Sequence, residues 1–582
     1  MIRLLKNFKK IDWLAVLFIV AFVVMQVWLD LTMPDYTSAL TAKVSNGSVT
    51  MSDVWYNGMM MVLCAVGSTM CSFVCGFLCA RLASRFSKSL RLKLFDKVTS
   101  FSTREMKLFS TPSLITRTTN DVVQIQMFIS IGLQIVIRAP VTAIWAITKI
   151  SATSIEWTTA TLLVVLAIVL VVGGVILLVL PKFKKAQRLI DNLNNATREN
   201  VSGVRVIRAF NAENYQEKKF EKANKELTDN QLFTSKAMGV LMPFVSLCMS
   251  GLTIAIYWIG AVLINKAAIV ERATIIGNMS AFTQIAMHIV MSFIMMIAVF
   301  VVLPRAIVSA KRINEVLDCK LSMQNGDKSN LSNLKGEIEF RDVSFKYPDG
   351  QNDVFTGVNF SAKQGEIIAI IGATGSGKTT LIDLIPRFYD VTGGSVLVDG
   401  MDVREYDSKE LNKKIAVVSQ KAVLFKGDVK HNITYGCEED IDINDEKLAK
   451  AISISQSNFI NELNNGVESP VSQGGTNFSG GQKQRLSIAR AIFKDAEIII
   501  FDDSFSALDY KTDMLVRKGV KENLSDKTII IVAQRIGTIR NADKILVLDG
   551  GKVVGQGTHE ELIANCPVYK EIALSQLSKE EL

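Results

Sequence analysis

Residues 372–380 read GATGSGKTT and could bind the phosphates of a nucleotide. They follow the apolar run EIIAIIG, which is typical of a buried strand, and they precede an apolar helical pattern. A glycine-rich loop in this context matches the phosphate-binding pattern G-x-x-x-x-G-K-[ST]. Its glycines let backbone amides point at phosphate oxygens, and the helix start adds a positive end. Lys378 can then reach the β and γ phosphates, and Thr379 can hold Mg²⁺. A chance glycine-rich turn is the alternative, which the flanking elements disfavour.

A second candidate for chemistry is IIIFDDSFSALD at residues 498–509, where an apolar run ends at Asp502 and Asp503. Two carboxylates at a strand end suggest metal and water chemistry. In phosphate-loop nucleotidases an aspartate at a strand end positions Mg²⁺. Taken alone, Asp502 could instead cap a helix or turn, since Ser504 follows it. The phosphate loop in the same chain favours the metal role.

A third stretch, NFSGGQKQRLSIARA at residues 477–491, places another amide-rich turn at the start of a helix. Ser479, Gly480 and Gly481 in this turn should bind an anion. One nucleotide needs only one phosphate loop, so a second anion site in one domain indicates a second copy of that domain. The pattern therefore predicts a dimer with nucleotides held between two chains.

These residues must be positioned by the second half of the chain, where short β-rich runs alternate with helical stretches. Strands are predicted at residues 337–345, 366–372, 395–400, 415–420, 497–503, 527–534 and 543–557. Such alternation indicates a largely parallel α/β sheet. Residues 319–335, which are polar and turn-rich, are predicted to form a linker before this sheet.

The first half of the chain is dominated by long apolar runs, and it accounts for the high apolar content of 49%. Such runs are long enough to cross a hydrocarbon layer about 30 Å thick. We predict six spans, at residues 11–33, 54–80, 129–150, 157–180, 239–264 and 280–303. Buried core helices are the alternative, and so many runs in one half of a chain disfavour it.

Basic residues lie beside the apolar runs rather than in one nucleic-acid-binding patch. The net charge is +9, and a basic balance could indicate nucleic acid. The loops after spans two and four are long and basic, however, whereas the other loops are short with few positive charges. This distribution follows the positive-inside rule, so both termini and both long loops are predicted to be cytoplasmic. Apolar residues at helical spacing in 199–227 predict helices that continue below the membrane.

Some polar and thiol side chains fall inside the predicted spans. Arg138 and His288 do so, and an ionisable residue there is a functional candidate by default. Four cysteines lie on one face of the second span: Cys64, Cys71, Cys75 and Cys79. A metal site is one interpretation of them, and small apolar packing residues are the favoured one.

Together, these features resemble an ATP-binding cassette (ABC) exporter half-transporter, in which six spans precede one nucleotide-binding domain. GATGSGKT matches the Walker A motif, IIIFD the Walker B motif, SALD the D-loop, and NFSGGQ the signature, with Phe478 where leucine is usual. Tyr347 in FKYPDG matches the aromatic residue that stacks on adenine. Gln420 in VVSQ matches the glutamine that senses Mg²⁺.

The resemblance implies a type I exporter (type IV ABC) fold with ATP and Mg²⁺ as ligands. It implies a six-span α-helical membrane domain over 1–318, a linker over 319–335 and a cytosolic α/β P-loop NTPase domain over 336–582. The nucleotide-binding residues it implies are Tyr347, Gly372, Thr374, Gly375, Ser376, Gly377, Lys378, Thr379, Thr380, Gln420, Ser479, Gly480, Gly481 and Gln482. The Mg²⁺ residues are Thr379, Gln420 and Asp502, and the catalytic positions are Asp503 and Gln534. Turns near 111–119 and 203–212 would be the coupling helices that press on the nucleotide domains.

The sequence departs from this family at the positions that organise hydrolysis. The family usually places glutamate, which polarises the attacking water, where this chain has Asp503. The aspartate carboxylate falls short by roughly 1.5 Å, and a misplacement near 1 Å can cost about 10²-fold in rate. Gln534 stands where the family has its switch histidine, and Gln473 where glutamate is common. We therefore predict poor hydrolysis at this chain's own Walker motifs.

An intact signature beside a weak base suggests a division of labour between two different chains. A partner's Walker motifs would form the strong site with Ser479, Gly480 and Gln482 of this chain. We expect a heterodimeric exporter of small amphipathic or hydrophobic compounds in a bacterial plasma membrane, in contact with lipid and not with nucleic acid. The alternatives are a homodimeric lipid flippase or peptide translocator, and an ATP-gated channel or regulatory membrane subunit.

Overall fold

The computed structural model describes residue 3 and residues 8–329, 335–437 and 445–577. Residues 330–334 of the predicted linker and the outermost residues of both predicted domains lie outside these ranges. The chain divides into two compact units. The first extends to Thr99 and resumes at Pro112–Cys319, and the second joins Ser100–Thr111 to the chain from Lys320 onward.

In the described part of the chain the first unit is helical, and six helical segments are long and apolar enough to span a membrane, which confirms the six predicted spans. Including one short helix of the second unit, α3, the helices are α1 (Lys10–Ser45), α2 (Met51–Thr99), α3 (Thr103–Phe109), α4 (Thr111–Thr118), α5 (Asn120–Met127), α6 (Leu133–Ser151), α7 (Ile155–Ser202), α8 (Val204–Ala209), α9 (Glu213–Gly239), α10 (Leu241–Lys266) and α11 (Ile269–Leu317). A π-helical turn at Phe128–Gly132 joins α5 to α6.

Several helices are much longer than the membrane is thick. Helix α2 has 49 residues and α7 has 48, and each residue adds about 1.5 Å. Each helix is therefore more than twice as long as the hydrocarbon layer of about 30 Å. Helical extension beyond the membrane was predicted from the pattern in 199–227, where helices α8 and α9 form.

The short helix that packs with the nucleotide unit lies earlier than predicted. We expected it near 111–119, but the segment grouped with that unit is Ser100–Thr111, which contains α3. Helix α3 begins there because Ser102 and Glu105 form a capping box: Ser102 N donates to Glu105 Oε2 at 2.8 Å, and Arg104 N donates to Ser102 Oγ at 3.2 Å. The other predicted turn, 203–212, contains helix α8.

The polar side chains inside the spans contact one another. Arg138 Nη2 donates to Asp30 Oδ2 at 3.1 Å, and Ser68 Oγ donates to Asp30 Oδ1 at 2.5 Å. His288 interacts electrostatically with both charged residues. An ion pair keeps two costly intramembrane charges together, so Arg138 has a structural partner that the sequence did not reveal. The four cysteines of α2 are all buried.

Among its described residues the second unit contains three sheets, the smallest of which pairs Gly427–Asp428 with Pro470–Val471, and the strand ends of the largest face the candidate site. Its strands are β1 (Ile338–Phe345), β2 (Phe355–Ala362), β3 (Ile367–Gly372), β4 (Gly393–Val398), β5 (Met401–Asp402), β6 (Ile415–Val418), β7 (Gly427–Asp428), β8 (Pro470–Val471), β9 (Ile498–Asp502), β10 (Thr528–Val532), β11 (Lys544–Asp549) and β12 (Lys552–Gly557). The larger sheet has the order β12-β11-β3-β10-β9-β6. All its neighbours pair in parallel except β11 and β12.

The helices of this unit are α12 (Lys378–Asp383), α13 (Ser408–Lys414), α14 (Val429–Ile433), α15 (Asp445–Ile454), α16 (Gly480–Lys494), α17 (Tyr510–Asn523), α18 (Ile536–Ile539), α19 (His559–Asn565) and α20 (Pro567–Leu574). Helices and loops cover both faces of the larger sheet. In β9, Ile498 and Ile500 point into one core cluster, and Ile499 and Phe501 point into the other. Burial on both faces explains why these strands read as continuous apolar runs.

A smaller antiparallel sheet, β2-β1-β4-β5, was not predicted. Strand β2 escaped detection because its sequence, FTGVNFSA, is half polar. Phe355, Val358, Phe360 and Ala362 are buried, and the residues between them are exposed. A strand with one exposed face carries a weaker apolar signal than a fully buried one.

Candidate functional site

Most of the sequence-predicted residues line one cavity of about 360 Å³ at the carboxyl ends of the parallel strands, but Gly372, Ser376 and the four signature residues are not part of its described lining. Its lining combines the phosphate loop after β3, the acidic pair at the end of β9, and residues after β6 and β10. Ligands of open α/β sheets bind outside the carboxyl ends of the strands. The lining residues are Tyr347, Val354, Thr374, Gly375, Gly377, Lys378, Thr379, Thr380, Gln420, Asp502, Asp503, Val532 and Gln534.

The phosphate loop has the backbone geometry that its glycines permit. Gly375 and Gly377 have φ angles of 86° and 95°, in the left-handed region that favours glycine. A Cβ on Gly377 would lie 2.9 Å from Val354 Cγ1, and one on Gly372 would collide with the Leu548 carbonyl of the adjacent strand. A Cβ on Gly375 would meet nothing within 4 Å, so this part of the loop is open to a ligand.

Several polar groups in the loop fit a nucleotide triphosphate with its metal. Lys378 Nζ donates to the carbonyls of Gly372 and Ala373 at 2.8 Å each, which holds the ammonium inside the loop. Ser376 Oγ is buried and has no hydrogen-bond partner within the described part of the chain. An unpartnered buried hydroxyl is costly, and a phosphate oxygen would satisfy it. These groups therefore fit ATP, whose γ-phosphate supplies the transferable group when it is bound.

Thr379 and Asp502 provide the oxygen atoms that Mg²⁺ prefers. Thr379 Oγ1 donates to Asp502 Oδ1 at 3.0 Å, and Oδ2 lies 3.2 Å away. Burial raises the pKa of Asp502, and the neighbouring Asp503 carboxylate adds to the rise, whereas Thr379 and Lys378 lower it. Burial lowers the pKa of Lys378, and the two aspartates oppose that shift. A divalent cation would favour the ionised carboxylate.

Asp503 is held between the two glutamines that the sequence analysis selected. Its Oδ2 accepts from Gln420 Nε2 at 3.2 Å and from Gln534 Nε2 at 3.1 Å. Its backbone N–H donates to the Val532 carbonyl at 3.0 Å, and its φ is 45°. A non-glycine residue in the left-handed region is uncommon. The structure therefore brings both predicted catalytic positions and Gln420 into one hydrogen-bonded group.

Tyr347 lines the same cavity and also packs against other aromatic side chains. Its hydroxyl is 2.8 Å from Thr380 Oγ1 of helix α12. Its ring packs edge-on against Phe345 and Tyr389, with centroid distances of 5.0 and 5.3 Å. The ring is half-buried, so it could still present an aromatic surface to a nucleobase.

The signature residues form a separate site, because Ser479, Gly480, Gly481 and Gln482 are absent from the described lining of the cavity. Ser479 caps helix α16 through a capping box: Gln482 N donates to Ser479 Oγ at 3.3 Å, and Ser479 N donates to Gln482 Oε1 at 2.9 Å. Phe478 is buried against Phe459, at a centroid distance of 6.1 Å. Phe478 therefore holds the turn against the protein core, while Ser479 and Gly480 are exposed.

Sequence reasoning missed two charged residues beside this site, Asp383 and Lys107. Asp383 ends helix α12, where burial raises its pKa to about 6, Asp502 adds to the rise and Lys107 opposes it. Lys107 lies on α3, far from the phosphate loop in sequence. The helical pattern around Asp383 could have indicated its burial, but nothing in the sequence connects it with Lys107.

We predict that Asp383→Asn stabilises the nucleotide unit at neutral pH. The folded state holds the Asp383 proton more tightly than the unfolded chain, since the pKa is about 6 against 3.8. The free energy of unfolding should therefore fall as the pH rises through this window. Allowing for partial solvent exposure, the loss is about 1–2 kcal/mol. Thermal unfolding of the full chain should be measured from pH 4 to 7. The variant should be more stable than the unmodified chain only above pH 4. An equal gain at every pH would contradict this.

A six-span membrane unit joined in one chain to a phosphate-loop unit of this topology defines a nucleotide-driven membrane transporter. Residues 16–293 match the ABC transporter transmembrane region, and residues 355–506 match the ABC transporter family. The chain belongs to the ABC transporter family.

Relatives and a solved structure agree over nearly the whole chain. An uncharacterized ABC transporter ATP-binding protein of Mycobacterium tuberculosis is 38% identical over 89% of this chain and 87% of its own. An ATP-dependent lipid A-core flippase of Pseudomonas aeruginosa is 31% identical over 88% of this chain and 84% of its own. The structure of a bacterial Atm1-family ABC exporter with ATP bound has a TM-score of 0.78 at 22% identity, covering 97% of this chain and 98% of the other.

The chain is therefore an ATP-binding, multi-pass membrane protein with the domain order of an ABC exporter, and ATP drives its transport. Its membrane and nucleotide-binding domains are fused in one chain, and the relatives named above are bacterial. ABC exporters of this kind work as dimers.

Proposed function

We propose that this chain is the weak-site subunit of a heterodimeric exporter of small amphipathic or hydrophobic compounds. The observation that carries the proposal is the Gln420–Asp503–Gln534 group, in which two amides donate to one short carboxylate. Asp503 would be the base for the attacking water, and the carboxylate of aspartate falls about one bond short of that of glutamate. Both amides donate to Oδ2, which leaves Oδ1 as the carboxylate oxygen that could accept from the attacking water.

Gln534 weakens the site for a second reason. An amide is neutral at every physiological pH and cannot exchange a proton as an imidazole can. No histidine belongs to the described lining of the cavity. His431 lies at the start of α14, where its backbone N–H donates to Asp428 Oδ1, and His559 Nδ1 lies 2.7 Å from the Tyr569 hydroxyl. The site therefore lacks the group that would organise the γ-phosphate.

Nucleotide binding, by contrast, keeps all the groups that we assign to it. Lys378 and Ser376 would contact phosphate oxygens, Thr379 and Asp502 would hold Mg²⁺ with Gln420 nearby, and Tyr347 would stack on adenine. The loop backbone, including Gly372, Thr374, Gly375, Gly377 and Thr380, would supply amide donors. A site that binds well and hydrolyses poorly would hold ATP for longer than an ordinary site.

The signature turn supports the other half of the proposal. Its capping box orders Ser479 and Gln482, and exposed Gly480 offers a backbone amide at the start of a 15-residue helix. Such an N-terminus favours an anion. We infer that it completes the competent site of a partner subunit. We also infer the domain limits 1–318, 319–335 and 336–582, with a small-molecule pathway in the first domain.

A homodimeric lipid flippase is the second candidate, and the 31% identity to a lipid A-core flippase favours it. The composition of the purified complex distinguishes the two functions. We expect affinity purification of this chain from its native membrane to yield a second ABC half-transporter in equal amount, with glutamate and histidine at the positions of Asp503 and Gln534. Recovery of self-pairs alone would contradict the proposal and favour the flippase.

A further inference from the structure

Helix α3 belongs to the nucleotide unit, although it lies in a loop between membrane helices. Glu105 fixes it: the side chain is 3% exposed, and its Oε1 accepts from the Ser322 backbone N–H at 3.1 Å. Its Oε2 accepts from the Ser102 backbone N–H at 2.8 Å. The buried carboxylate therefore ties the start of α3 to Ser322 and restricts the orientation of the helix within its unit.

This orientation places Lys107 over two aromatic rings. Lys107 Nζ is 5.1 Å from the centroid of the Tyr347 ring and 5.5 Å from that of Tyr389. The two rings are nearly perpendicular, with an interplanar angle of 87°. A lysine ammonium within about 6 Å of a ring centroid is attracted by the electrons of the ring face. A hydrogen bond to Tyr389 raises the pKa of Lys107, and burial opposes that shift.

Lys107 reaches Tyr347 from outside the nucleotide cavity. Tyr347 belongs to the cavity lining, whereas Lys107 is absent from the described lining. The tyrosine is thus fixed at two points, by Lys107 at the ring and by Thr380 at the hydroxyl. A ring held at both ends is already ordered before a ligand binds. A ligand that stacks on it therefore binds with a smaller entropy cost.

We propose that Lys107 is a positioning residue for base recognition: it holds Tyr347 for stacking and so makes α3 respond to the nucleobase. The proposal rests on the assignment of Tyr347 to adenine made above. It concerns the base and not the phosphates, because Lys107 lies over the two aromatic rings and is not among the described residues that line the cavity. Helix α3 and the nucleobase would therefore contact the same side chain, Tyr347.

The test uses the full chain in detergent and two ligands, Mg·ATP and Mg·tripolyphosphate, the second of which has phosphates but no base. Binding is measured by titration calorimetry, so no turnover is needed. Lys107→Met should lower the affinity for Mg·ATP about threefold, which is the effect of one exposed cation–ring contact. It should leave the affinity for Mg·tripolyphosphate unchanged. Lys107→Arg should keep the affinity for Mg·ATP, since a guanidinium also binds ring faces.

Two controls separate this role from simple charge or packing effects. Arg104→Met removes a positive charge from an exposed position on the same helix and should change neither affinity. In a Tyr347→Leu background, Lys107→Met should have no further effect, because the ring it acts through is gone.

Each outcome decides the proposal. Suppose that Tyr347→Leu weakens the binding of Mg·ATP, as the adenine assignment requires. The role of Lys107 is then overturned if Lys107→Met weakens the binding of both ligands equally, or if it does not weaken the binding of Mg·ATP. If Tyr347→Leu left Mg·ATP binding unchanged, the adenine assignment of Tyr347 would itself be wrong, and the role of Lys107 would fall with it.

Discussion

Gly480→Asp is expected to lower ATP turnover of the heterodimeric complex by about 10²-fold or more, the scale of losing one anion-stabilising group. The substitution puts a carboxylate where the turn would meet the partner's nucleotide phosphates. Helix α16 should still form, because an acidic residue is favourable in the first turn of a helix. The same complex carrying Asp503→Asn should change by less than about twofold, since we assign turnover to the partner's Walker motifs.

Gly480→Ala is the matched control for this experiment. A Cβ at Gly480 would meet nothing within 4 Å, and the residue is not among those with positive φ. Alanine should therefore fold normally and reduce turnover far less than aspartate. Steady-state phosphate release from the purified complex measures all three variants. A large loss with Asp503→Asn and a small one with Gly480→Asp would reverse the assignment of the two sites.

The double substitution Asp503→Glu with Gln534→His is expected to raise ATP turnover of the chain by itself about 10²-fold. The glutamate would regain the missing reach of roughly 1.5 Å, and a well-placed general base contributes at least about 10²-fold. The histidine would replace an amide whose Nε2 already lies 3.1 Å from the Asp503 carboxylate. Each single substitution should give a smaller gain.

Asp503→Asn with Gln534→His is the control, because it restores the imidazole without a carboxylate base. It should show no gain in turnover, while binding of Mg·ATP stays intact in every variant. A gain with the asparagine control, or no gain with the double substitution despite intact binding, would mean that reach and imidazole do not limit this site.

The phosphate loop and Walker B strand could be predicted because one short stretch of sequence determines each of them. Strands β3 and β9 are buried on both faces, so their apolar runs stand out from the flanking polar residues. Loop glycines such as Gly377 mark backbone positions that other residues fill poorly. The six spans were predictable for a similar reason, since length and apolarity are local properties.

Features that depend on distant pairing escaped the sequence analysis. Strand β2 is half exposed and pairs with β1, and no local sequence pattern predicts this pairing. Asp30 and Arg138 form their ion pair across 108 positions of sequence. Lys107 meets Tyr347, which is far from it in the sequence, on a helix that Glu105 ties to Ser322. The capping box at Ser102 was readable, and it would have placed the loop helix correctly.

ATP turnover by the purified chain alone, reconstituted in lipid without any partner, tests the central claim most directly. The Gln420–Asp503–Gln534 group predicts that the chain binds Mg·ATP, that turnover stays near background, and that Asp503→Asn does not change it. Rapid turnover that Asp503→Asn abolishes would show that Asp503 is a competent base and would contradict the weak-site assignment.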